Sequence, residues 1–151
     1  TEMDTYIGTK IIQAEPAYRC DGMVYPKSGQ YPRSMHMEDG YKVRYPDGYE
    51  SWSPKDVFEE AYRPTDAMTF GLAIEAMKKG KKVARAGWNG KNQHIELASA
   101  ISYESPDGTV VNAEHEAIGN QAVAFCGTSG VQMGWLASQA DMLANDWKVI
   151  D

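Results

Sequence analysis

Lys81-Lys82-Val83-Ala84-Arg85-Ala86-Gly87-Trp88-Asn89-Gly90-Lys91-Asn92-Gln93-His94-Ile95-Glu96-Leu97 is the stretch on which the fold turns. Lys81 to Ala86 alternates as a strand does, and Trp88-Asn89-Gly90 carries an Asn-Gly turn signal. His94 to Leu97 then reads as the return strand. A strand that doubles back this soon pairs antiparallel, because a parallel crossover needs a dozen or more residues.

Working outward, Phe70, Ala73, Ile74 and Met77 recur at helical spacing just upstream, with Gly80 where a C′ glycine belongs. Downstream, Pro106-Asp107-Gly108 marks a turn, and Thr109 to Asn112 and Gln121 to Phe125 read as further strands. Ser138-Gln139-Ala140-Asp141 has the form of a capping box and opens a short helix running towards Asn145. Trp147 to Ile150 closes the series as a strand. Helices interleaved with hairpins predict an α+β fold built on an antiparallel sheet.

Arg63-Pro64-Thr65-Asp66 separates this part from a different texture. Residues 1–64 are rich in Tyr, Pro and short turns and read as a small α+β N-terminal module, with residues 67–151 as a second α+β domain. In the first module Tyr6 to Ala14 alternates enough for a strand, and residues 18 to 40 read as one long loop. Tyr41 to Tyr45, the Pro46-Asp47-Gly48 turn and Tyr49 to Trp52 predict a hairpin. Ser53 as N-cap, Pro54 at N1 and Asp56 at N3 predict a helix presenting Val57, Phe58, Ala61 and Tyr62 on one face.

The composition narrows the function classes. With 151 residues, 42% hydrophobic and 24% charged, the chain has the make-up of a globular protein. It contains no apolar run long enough to span a bilayer. The N-terminus lacks the basic and apolar regions of a secretory leader, so none is expected. A net charge of -6, acidic in both halves, argues against a polymeric nucleic acid as partner. The two cysteines, Cys20 and Cys126, lie far apart and suggest free thiols rather than a disulfide or a zinc motif.

Catalytic and cofactor motifs are scarce. His36, His94 and His115 show no metal-ligand spacing, and no P-loop or GxGxxG is present, so no cofactor, metal or catalytic residue is expected. Asn112-Ala113-Glu114-His115-Glu116 is one His/carboxylate cluster, read either as a site or as a solvated loop. Cys126-Gly127-Thr128-Ser129-Gly130 is read as an anion nest or as a plain turn. Two further segments suit a flat polar ligand: Gly87-Trp88-Asn89-Gly90-Lys91-Asn92 and Trp135-Leu136-Ala137-Ser138-Gln139-Ala140-Asp141-Met142. A Trp face can stack on a purine for about 1–3 kcal/mol, and Asn or Gln can read base edges. The same residues also suit structural work, with Trp88, Trp135 and Trp147 as packing and Ser138 with Asp141 as a cap.

Those two segments, with Thr69-Phe70-Gly71 and its helix, resemble the phage Thoeris anti-defence type 2 proteins over about residues 68 to 151. The resemblance rests on Lys82 to Lys91 and on Trp135 to Trp147, in that order. Between them, Ala98 to Gly134 departs from the family's usual approach to the second motif. Tyr6 to Lys10 and Asp47 to Lys55 are similar to a small N-terminal module of some phage relatives.

The resemblance implies a non-enzymatic sponge. Such proteins sequester cyclic ADP-ribose-type immune signals in the host bacterial cytoplasm, and some members hold cyclic dinucleotides from cGAS-like (CBASS) systems. It implies a homotetramer with pockets between subunits, and ligand contacts at Trp88, Asn89, Gly90, Trp135, Ser138, Gln139 and Asp141. Two other classes compete with it: a phosphodiesterase or ADP-ribosyl hydrolase that destroys the signal, and an inhibitor that docks a host defence protein.

Overall fold

The computed structural model describes residues 2–88, 92–99, 102–111 and 121–150. The chain divides into two compact units, Thr1–Arg63 and Pro64–Asp151. Both are antiparallel sheets with short helices, as the α+β reading expects.

In the first unit β1 (Gln13–Cys20), β2 (Met23–Pro26), β3 (Glu38–Arg44) and β4 (Glu50–Pro54) lie in the order β2-β1-β3-β4. The expected strand at Tyr6 to Ala14 is displaced along the chain, since only Gln13 and Ala14 of it are strand. Pairing with β3 begins at Gln13↔Arg44, while Tyr6 and Ile7 are exposed and outside any strand.

The expected long loop at 18–40 is also corrected. Asp21 and Gly22 both take positive φ, 50° and 78°, and join β1 to β2 in a tight turn. That backbone twist matches the twist of the flanking strands, which is why Asp-Gly is favoured there. The β3–β4 hairpin forms at Pro46-Asp47-Gly48, with Gly48 at φ 90° and Asp47 Oδ1 accepting from the Tyr49 N–H.

Helix α1 (Lys55–Ala61) follows β4 directly. Ser53 is not its cap: it pairs with Tyr41 in the ladder, and Pro54 stands at the N-cap without a side-chain bond. Phe58 stacks on Tyr41 at 4.1 Å and on Tyr62 at 5.1 Å, whereas Val57 points to solvent.

In the second unit β5 (Lys82–Arg85), β6 (His94–Ala98), β9 (Ala122–Gly127), β10 (Gly130–Met133) and β11 (Trp147–Ile150) form one sheet. Its order is β10-β9-β6-β5-β11, and β7 (Tyr103–Glu104) with β8 (Val110–Val111) makes a separate ribbon. Helix α2 (Phe70–Lys78) starts at Thr69, whose hydroxyl accepts from the Leu72 N–H. It ends in paired bonds from Gly80 to Met77 and from Lys81 to Ala76, with Gly80 at φ 88°. That pattern is a Schellman motif, and it requires a residue at ease in the left-handed region.

Ala73, Ala76 and Met77 of α2 pack with Val83, Ile95, Met68 and Trp147 as the buried core. The sequence reading did not include β10. Its alternation is confined to Val131-Gln132-Met133 between Gly130 and Gly134, too short a run to read as a strand, and all four of its residues are exposed. Cys126 to Gly130 accordingly forms the tight connection of a hairpin, with Gly127 paired to Gly130. Helix α3 (Gln139–Leu143) begins where the capping box places it and stops short of Asn145.

Candidate ligand site at the tryptophan cluster

Three tryptophans from three parts of the sequence meet on the helix side of the second sheet. Trp88 lies 5.5 Å from Trp147 and 6.1 Å from Trp135, both at steep edge-on angles. Trp135 and Trp147 are 6.2 Å apart, also edge-on. Phe125 from β9 reaches Trp88 at 5.5 Å, and Phe70 from α2 reaches Trp147 at 5.3 Å. Edge-to-face contact sets the positive rim of one ring against the negative face of the next.

The neighbouring backbone positions each ring. Trp88 follows β5 through a turn closed by its N–H on the Arg85 carbonyl. Gly134, at φ 79°, swings the chain out of β10 so that the Gly134 and Trp135 N–H groups both bond the Val123 carbonyl. Trp147 is fully buried, and its indole N–H donates to the Asp141 carbonyl at 2.8 Å. Trp88 and Trp135 are only half-buried, so they are the members of the cluster with surface to offer a ligand.

A polar circuit runs beside the rings. Ser138 and Asp141 close the predicted capping box: the Ser138 hydroxyl accepts from the Asp141 N–H, and the Asp141 carboxylate accepts from the Ser138 N–H. The same carboxylate takes a bond from Arg85 at 3.1 Å, and Arg85 bonds Asp146 at 3.0 Å. Burial pushes the Asp141 pKa up, but the Ser138 bonds and the Arg85 charge outweigh it and hold it below the usual carboxylate range. Arg85 is raised in turn by its two carboxylate partners.

Of the residues singled out from the sequence, Trp88 and Trp135 are brought together. Ser138 and Asp141 bond each other, and Asp141 reaches Trp147 through its carbonyl. Gln139 is exposed at the first turn of α3. Asn89 and Gly90 lie outside the described residues, as does the cluster from Asn112 to Glu116. Arg85 was missed. The available signal was its place two residues after Val83, which puts it on the core side of β5, opposite Trp147.

The opposite face of the sheet holds a different constellation that the sequence reading also missed. His94, Glu96 and Cys126 bring potential metal-donor atoms within 4.8 Å of one another. Burial, then the bond to Glu96, raises the Cys126 thiol above its ordinary pKa.

A family profile described as the Thoeris anti-defense 2-like domain matches residues 68–150. The chain belongs to that family. A relative from Bacillus phage SP01, named Thoeris anti-defense 2, is 36% identical over 86 residues. That alignment takes in 55% of this chain and 94% of the phage protein. The Thoeris anti-defense 2-like match begins at buried Met68 and ends within β11, so it contains all three clustered tryptophans and the Arg85–Asp141 pair. The sheet of the first unit lies outside the matched span.

Proposed function

We propose that this chain is a phage anti-defence sponge. It binds a cyclic ADP-ribose-type immune signal made by the host and holds it without cleaving it. The coarse role follows from membership of the Thoeris anti-defense 2-like family. The observation that best supports the finer reading is the half-buried pair Trp88 and Trp135, braced from beneath by buried Trp147. A purine stacked on one such indole gains about 1–3 kcal/mol.

Sequestration at a Kd near 1 nM needs about -12.3 kcal/mol, so stacking alone falls far short. The remainder comes from enclosure and from polar groups fixed before the ligand arrives. Arg85, held by Asp141 and Asp146, and the capped start of α3 supply fixed polar groups near the rings. Enclosure comes from assembly: a homotetramer sharing pockets between protomers covers a small ligand that one protomer leaves open. Leu136, Met142 and Leu143 are exposed apolar residues around α3 and suit burial in such a contact. Cyclic dinucleotides are further candidate cargo. Sequestration of these signals takes place in the host cytoplasm. Among the described residues no helix is long and apolar enough to cross a membrane.

The test is recovery. The protein is loaded with a cyclic ADP-ribose isomer, washed, heat-denatured, and the released molecule is resolved by chromatography. Intact signal at one equivalent per site supports the sponge. Linear or hydrolysed product would make the protein an enzyme that degrades the signal. Absence of retention would leave a protein-directed inhibitor as the better account.

A further inference from the structure

On β6 the sequence His94-Ile95-Glu96 places His94 and Glu96 on one face of the sheet, because successive strand residues point to opposite sides. Ile95 goes the other way, into the core beside the tryptophans. The ladder then sets Cys126 of β9 directly across from His94. The three side chains therefore converge through register. Cys126 Sγ donates to Glu96 Oε1 at 3.3 Å, and Glu96 Oε2 stands 3.9 Å from His94 Nε2.

The imidazole is the informative member. His94 Nδ1 lies 2.7 Å from the Asn92 carbonyl oxygen, which can only accept. In the neutral ring the proton therefore sits on Nδ1, and Nε2 carries a lone pair. That Nε2 is buried and has no hydrogen-bond partner among the described residues. A buried acceptor left unpaired is costly, so its persistence asks for an explanation. Metal-ligating histidines commonly have this arrangement, with one N–H tied to a carbonyl and the other nitrogen aimed at the ion.

We propose that His94 Nε2, the Glu96 carboxylate and Cys126 Sγ form a zinc site on the sheet face opposite the tryptophan cluster. One imidazole nitrogen, one thiolate and one carboxylate suit a borderline-soft ion, whereas magnesium and calcium call for oxygen donors throughout. Zinc bonds of about 2.0–2.3 Å separate tetrahedral donors by about 3.3–3.8 Å. The observed 3.3 and 3.9 Å lie close to that range, and side-chain rotation closes the remainder. Three protein ligands leave the fourth position for water or an external donor. On binding, the S–H bond of Cys126 breaks, its proton passes to solvent, and the sulfur lone pair forms the metal bond without change of oxidation state.

The inference is independent of signal sequestration, since Ile95 and Phe125 lie between the two sites. Its test is a titration of the full chain with cobalt(II) chloride, followed by displacement with zinc chloride. One equivalent of cobalt is expected to give a thiolate-to-metal charge-transfer band, and zinc to abolish it. Cys126→Ser removes the band, and both Cys126→Ser and His94→Gln weaken zinc binding at least about 10-fold. Cys20→Ser, in the other unit, leaves the band and the affinity unchanged. Absence of the band in the native chain overturns the proposal, as does native affinity in His94→Gln or loss of the band in Cys20→Ser. Should Cys126→Ser fail to fold, the affinity of His94→Gln decides alone.

Discussion

The two units solve one problem, covering a small antiparallel sheet, by opposite means. In the second unit a nine-residue helix lays Ala73, Ala76 and Met77 on the sheet, and the largest side chain, Trp147, is wholly enclosed. In the first unit α1 buries none of its residues. There the cover is aromatic and partly wet: Trp52 lies across the sheet with its N–H on the Ala17 carbonyl at 3.0 Å and the Arg19 guanidinium 4.1 Å over its ring. Tyr41, Phe58 and Tyr62 form a stack on the other face, because Tyr41 pairs with Ser53 and so points away from the side that carries Trp52. A core of enclosed aliphatics responds to volume, whereas a stack of half-exposed rings responds to shape and to the backbone beneath it.

The largest effect should come from Trp147→Ala. Truncating a fully buried aromatic costs about 3–5 kcal/mol, much of the stability of a small domain. Thermal melting should show the second unit lost, while the near-ultraviolet signal of Trp52 persists. Joint collapse of both signals would break the contrast between the units.

Next comes Gly40→Ala. A Cβ at Gly40 would collide with the Ser53 carbonyl oxygen and lie 2.5 Å from the Trp52 ring. Overpacking of this kind costs about 1–3 kcal/mol. It should dull the Trp52 signal and leave ligand binding untouched.

Trp88→Ala sharpens the contrast within the second unit, between a ring that packs and a ring that binds. A stacked purine predicts a loss of about 1–3 kcal/mol in binding, roughly 5- to 150-fold in Kd. Its contacts with Trp147 and Phe125 predict some loss of melting temperature as well. Calorimetric titration beside a melt separates the two. Normal binding with lowered stability would make Trp88 packing alone.

The smallest effect belongs to Asp141→Asn. Loss of the capping contact and of the Arg85 pair should cost about 0.5–2 kcal/mol. The pH dependence has a definite sign. The folded carboxyl of Asp141 lies below its ordinary value, so its contribution is complete above about pH 4 and fades as pH falls through the folded pKa. The native second unit should therefore lose stability on acidification more steeply than the Asp141→Asn variant. Parallel acid profiles would remove Asp141 from that role.

What was legible in the sequence was local. The α2 stop at Gly80, the box from Ser138 to Asp141 and the hairpin at Asp47-Gly48 all depend on a few adjacent residues. What was not legible depends on partners. Asp21-Gly22 is as good a turn signal as Asp47-Gly48, but only its first flank, Tyr18-Arg19-Cys20, alternates, while Met23-Val24-Tyr25 is apolar throughout. Trp88, Trp135 and Trp147 could each be marked as notable, while their mutual contact exists only through sheet order. His94 and Cys126 become neighbours through a one-residue choice of register.

The place of β11 has a consequence for the order in which the protein is made. It stands at the edge of its sheet beside β5 and carries Trp147, yet every other strand of that sheet precedes it in the chain. On the ribosome the first unit has all its strands once Pro54 has emerged. Met68, whose backbone bonds both ways with Trp147, must instead wait until that tryptophan is synthesised. Through that interval α2, β5 and β6 keep apolar surface uncovered, the condition under which nascent chains aggregate or recruit chaperones. The waiting time scales with translation speed, so slow codons between Phe70 and Trp147 would lengthen the exposure of the second unit and leave the first unaffected.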